Sequence, residues 1–138
     1  MKAEELMIDD WLCYEGEHNV QVKGIDLPPN GNSAYISFGA EFYPCDSFSP
    51  IPLTTKILEK NGFKRDPIWH YCDKDLDDYS ISVQLGYANR IEYVKIAEKG
   101  KDNVIPSERT KLYLTHIKYV HDLQHALRLC GITSEIII

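Results

Sequence analysis

Seven consecutive residues, YSISVQL from Tyr79 to Leu85, alternate without a break between apolar and polar side chains. A period of two is that of a β-strand, whose successive side chains point to opposite faces. Such a strand suits a sheet with one packed face and one wet face, which is the antiparallel case. The following YANR can turn the chain back into IEYVKIA, so a hairpin is expected. Whatever else the chain does, it must supply a core against Ile81, Val83 and Leu85.

The neighbouring segments extend this reading. WLCY, HNVQVKGID and AYISF read as a three-stranded meander, with Val20, Val22 and Ile25 on one face and Gly24 as a bulge. LPPNGNS is the clearest turn, since Pro and Asn-Gly both break regular structure. GAEFYPCDSFSPIP, with three prolines, is expected as a loop. LTTKILEKNGF reads as a short helix, capped by Thr54 or Thr55 and ended by Gly62 with Phe63 folding back. PIWHYC, the acidic turn DKDLDD, the polar loop EKGKDNVIPSE and the strand KLYLTHI follow. A helix from Tyr119 to Cys130, stopped by Gly131, precedes SEIII, a tail or an added edge strand. The expectation is one α+β domain over residues 1–138, mainly antiparallel sheet. It has about six or seven strands, open or barrel-like, with one short central helix and one C-terminal helix.

Charge and cysteine usage narrow the partners. Twenty-one acidic against 15 basic side chains give a net charge of −6. That field disfavours nucleic acid and anionic membrane as partners unless a basic patch exists. The densest basic stretches, KNGFKR and RTKLYLTHIK, are short and interleaved with other residue types. The start, MKAEELMIDDW, is charged and has no apolar core of a signal peptide, and no run approaches the ~18 apolar residues of a membrane span. Cys13, Cys45, Cys72 and Cys130 contain no C-x-x-C pair, so a cytoplasmic protein with reduced, mostly buried thiols is expected. No glycine-rich nucleotide motif and no G-x-S-x-G elbow is present, so no cofactor is called for.

One stretch invites a chemical interpretation. HDLQH places His121 and His125 four residues apart around an acidic residue, one methylene short of the zinc motif H-E-x-x-H. On a wheel of 100° per residue, Val120, Leu123, Ala126, Leu127 and Cys130 cluster around roughly 300°, while His121 and His125 fall near 100° and 140°. The pair is therefore expected on a solvated face, together with Lys118 and Arg128. Asp122 is shorter than the glutamate that serves as general base, and Glu135 is the one carboxylate downstream. Cys72 beside His70 reads as a core thiol rather than a nucleophile with its base, because residues two apart on a strand do not orient each other. Asp73, Asp75, Asp77 and Asp78 begin like a calcium loop, but Asp78 stands where the sixth-position glycine belongs.

AEELMIDDWLCYEG, PIPLTTKILEKNGF and YVHDLQHALRLCGI together resemble a set of small uncharacterised proteins of Bacteroides-type gut bacteria, their phages and mobile elements. The resemblance covers the beginning, middle and end of the chain, and the last two segments are the close ones. Met7 and Asp9 stand where that set usually has Arg and Gly, and His125 stands where it has Asn. The resemblance implies a bacterial cytoplasmic setting and argues against the histidine pair as an essential metal site. It brings no activity with it. The leading expectation is a non-catalytic module that binds another protein, with Phe42, Tyr43 and Phe48 as contact residues. The alternatives are a metal-dependent hydrolase using His121 and His125, and an acidic mimic of nucleic acid.

Overall fold

The computed structural model describes residues 1–29, 33–76, 78–99 and 108–138. In chain order these contain β1 (Trp11–Tyr14), β2 (His18–Gln21), β3 (Gly24–Asp26), β4 (Tyr35–Ser37), β5 (Phe42–Pro44) and β6 (Phe48–Pro50). Then come helix α1 (Thr55–Lys60), β7 (Lys64–Asp66), β8 (Tyr71–Asp75), β9 (Tyr79–Leu85), β10 (Ile91–Lys99), β11 (Glu108–Leu114) and helix α2 (Val120–Leu129). The protein is a small α+β fold of three antiparallel sheets and two helices. Among the described residues the strands number eleven, against the expected six or seven, and five of these (β3 to β7) are only three residues long. Residues 30–32, 77 and 100–107 lie outside the described residues. They include the Asn-Gly of LPPNGNS, Asp77 of the acidic turn and most of the polar loop.

Two compact units are present, residues 1–52 with 119–124 and residues 53–118 with 125–138. In the first, β1 is the middle strand of the sheet β2-β1-β6, and a second sheet runs β3-β4-β5. HNVQVKGID is thus two strands in different sheets, not one strand with a bulge. The crossing is made at Val22, fully buried, whose N–H donates to the Asp10 carbonyl and whose carbonyl accepts the Asp9 N–H. At Gly24 a Cβ would stand 2.9 Å from Ser37 Oγ and 3.1 Å from the Phe42 ring, so close approach selects the glycine. The proline-rich stretch is also no loop: it holds β5 and β6. Both are edge strands, where Pro44 and Pro50 can be accommodated although they lack an N–H to donate.

The second unit is built on the meander β11-β10-β9-β8-β7. The alternation of β9 appears as expected, with Ile81, Val83 and Leu85 buried. Cross-strand pairing joins Val83 to Cys72 and Val94, and Ile81 to Ile96, so one face of the sheet is continuous apolar core. Thr54 caps α1, its Oγ1 accepting the Ile57 N–H at 3.3 Å. At the other end Gly62 takes φ +85°, and the Phe63 N–H returns to the Leu58 carbonyl at 3.1 Å. Leu58 and Phe63 are both buried by this turn. Helix α2 ends the same way, with Gly131 at φ +70° and the Ile132 N–H on the Leu127 carbonyl. SEIII forms no strand. Asn61 holds it instead, its Oδ1 accepting the Ile137 N–H and its Nδ2 donating to the Ile137 carbonyl, each at 2.7 Å.

Candidate functional site

HDLQH is occupied with structural work in this fold. Asp122, the third residue of α2, accepts the backbone N–H of Tyr119 at 2.9 Å, the return half of a capping box. Gln124 is 7% exposed; its Oε1 accepts the Trp11 N–H and its Nε2 donates to the Asp9 carbonyl, both at 2.9 Å. His121 is not on a solvated face, as the wheel implied. It is 6% exposed, stacked on Tyr119 at 5.7 Å and 13°, with Nε2 3.6 Å from Asp122. The wheel assumed burial on one side only, whereas His121 and Gln124 are buried beside Val120, Leu123, Ala126 and Leu127. His125 is half-buried. Among the described residues no three His, Cys, Asp or Glu side chains gather as metal ligands would.

The other chemical constellations come apart similarly. His70 is an exposed turn residue with φ +53°, while Cys72 is wholly buried and burial pushes its thiol pKa up. Asp75 pairs with Lys99 at 3.4 Å, and Asp66 accepts the turn N–H groups of Ile68 and Trp69. The aromatic segment divides three ways. Phe48 is core; Tyr43 is half-buried in a ring cluster with Tyr14 and Phe38; Phe42 is exposed. Phe42 alone of the three presents its ring to solvent.

The wet face of the meander carries a different constellation. Register aligns Tyr71, Gln84 and Tyr93 in one row and Asp73, Ser82, Lys95 and Tyr113 in the next. Together with Trp69 and Ser80, most of these side chains line a shallow groove of about 420 Å³. Its floor is low because β9 places serines there, and its sides rise because β8 and β10 place tyrosines. Tyr93 packs on Tyr113 with ring centroids 4.9 Å apart. Partial burial, then the nearby Asp66 and Asp73, raise the Tyr71 pKa, so its phenol is a neutral hydrogen-bond donor.

At one end of this face two turns are fastened together. Asp66 Oδ1 holds the β7–β8 turn, and Gln84 Nε2 donates to the carbonyls of Trp69 and His70 at 3.1 Å. The β9–β10 turn has Ala88 and Asn89 at positive φ, and Asn89 Oδ1 accepts from Arg65 at 2.7 Å. These bonds fix the backbone while the large side chains stay outside: Ile68 is 74%, Trp69 68% and Tyr87 93% exposed. Sequence reasoning missed this surface. The signal available was PIW and GYANR, apolar residues inside two turns of adjacent hairpins. Among the described residues no helix is long and apolar enough to cross a membrane. No family model, curated protein or solved structure matches the chain.

Proposed function

We propose that the chain is a non-catalytic module that binds another protein through the turn end of its five-stranded sheet. The observation behind this is the cluster of Ile68, Trp69 and Tyr87, held outward on two turns whose backbones are tied by Asp66, Gln84 and Arg65. A turn rigidified in this way loses little entropy when it docks, and aromatic anchors dominate interface energies. Fully burying each of these side chains against a partner contributes roughly 1.5–3 kcal/mol. Of the sequence-expected contact residues, Tyr43 and Phe48 already serve the core of the first unit, and Phe42 is exposed there. A bacterial cytoplasm, with a phage or mobile element as the source, is the proposed setting, supported by the sequence resemblance and by four cysteines that form no disulfide.

The test compares affinity capture by the wild type and by the variant Ile68→Ser/Trp69→Ser/Tyr87→Ser, quantified by mass spectrometry. A partner retained by the wild type and lost by the variant, at equal thermal stability of the two baits, is the expected result. Identical captures would refute the proposal.

A further inference from the structure

The groove beside those turns has a chemistry of its own, and we propose that it binds a neutral, unbranched oligosaccharide. This goes beyond the protein-binding reading and uses mostly other side chains; Trp69 belongs to both, and Gln84 ties the turn as well as lining the groove.

Three features of the lining select the ligand class. The first is charge. Asp73 and Lys95 flank Ser82 in one cross-strand row, so the lining holds one side chain of each sign and presents no cluster of like charge to a phosphate or a polycation. The second is backbone. Tyr71, Ser82 and Tyr93 lie on the three inner strands of the meander, each flanked by two neighbours. Tyr71 and Ser82 are paired in the ladders on both sides and Tyr93 is paired with Gln84, so the floor of this face offers a peptide no strand edge to extend. The third is the alternation of flat and polar groups. Rings of Tyr71, Tyr93 and Trp69 stand around a floor of Ser80 and Ser82, with the carboxylate and the ammonium nearby. The strands bearing Tyr71 and Tyr93 are two spacings apart, about 10 Å, with β9 as the floor between them. A pyranose has the complementary form: apolar C–H faces that pack on rings and a rim of hydroxyls that both donate and accept. An apolar ligand would cover the serine hydroxyls without offering them hydrogen bonds.

The experiment is a ¹⁵N-NMR titration of the whole chain with cellohexaose, mannohexaose and chitohexaose, each to roughly 10 mM, which reveals a Kd as weak as about 1 mM. The expected result is saturable shifts for at least one sugar, centred on Trp69, Tyr71, Ser82, Gln84 and Tyr93. Tyr93→Ala should weaken that binding by roughly tenfold and Tyr93→Phe should keep most of it, since the ring face makes the contact. Ser82→Leu, which fills the floor, should abolish it. Ile68→Ser and Tyr87→Ala should leave it unchanged while weakening any protein partner, so the two readings fail separately. Absence of saturable shifts with all three sugars, shifts centred elsewhere, or undiminished binding by both Tyr93→Ala and Ser82→Leu would overturn the proposal.

Discussion

Gln124→Met removes one amide and keeps the side chain's length, and it tests what HDLQH is for. In H-E-x-x-H the residue at this place is a free position between ligands. In this fold it is a buried clamp that joins the start of α2 to the backbone of Asp9 and Trp11. Each of its two hydrogen bonds contributes about 1 kcal/mol net, and a buried group left without its partner costs about 1–3 kcal/mol. Asp9 is exposed, so water can replace the lost donor there; Trp11 is half-buried, so its N–H fares worse. The sum is about 2–3 kcal/mol, or a fall in Tm of roughly 5–10 °C for a chain of this size. Gln124→Glu should cost more, because a carboxylate oxygen would face the Asp9 carbonyl in a site that is nearly dry. Burial and that carbonyl would raise the folded pKa of the introduced carboxyl above its unfolded value near 4.3. Its penalty should therefore be absent below about pH 4 and grow as pH rises through the raised folded pKa. Urea denaturation from pH 4 to 8 measures both effects. A Gln124→Met variant within about 0.5 kcal/mol of wild type would refute the clamp, since that is the range of ordinary surface changes.

Four further outcomes are expected. Gly62→Ala and Gly131→Ala, each at positive φ in a helix-ending turn, should each cost about 1 kcal/mol or more in denaturant unfolding. Asn61→Ala should release the C-terminal tail and cost about 1–3 kcal/mol; in a chain cut after Ser134 the same substitution should cost far less, which a double-mutant cycle reads directly. Burial, helped by nearby carboxylates, raises the phenol pKa of Tyr14, Tyr43 and Tyr71 above the ordinary 10.0. The unfolded chain then ionises first, so stability is unaffected below pH 10 and falls as pH rises through the folded values, with a late tyrosinate absorbance change as the marker. Calorimetric titration with Zn²⁺ should show no tight stoichiometric binding in the wild type, and His125→Asn should leave the trace unchanged.

The parts of the fold that could be read in advance share one property: their signals are local. Seven alternating residues define β9, and a capping threonine with a glycine four residues past the leucine defines α1. The same Gly stop ends α2, because a left-handed C′ residue leaves its mark within a single turn. The three-residue strands left no such mark. β3, β5 and β6 are strands because of residues they pair with elsewhere in the chain, and three residues are too few to show a period. Prolines then argued for a loop where the chain has edge strands. Burial of His121 and Gln124 was hidden for a different reason. A helical wheel ranks residues by hydropathy, and it has no term for a polar side chain whose partners are supplied by a strand 113 residues earlier. The exposed turn cluster left no mark because nothing in PIW or YANR says whether Ile68, Trp69 and Tyr87 face a core or solvent. That their backbone is tied so as to keep them out is a property of Asp66, Gln84 and Arg65.

Whether that cluster is the working surface can be decided at a single position. A photo-crosslinking amino acid in place of Tyr87, the most exposed of the three, would sit directly on the proposed interface; one in place of Leu129, which is 73% exposed on α2, is the control. In living host cells the account predicts one discrete protein adduct from position 87, none from 129, and loss of the adduct when Ile68→Ser and Trp69→Ser are added. No adduct at 87, or the same adducts at both positions, would contradict it.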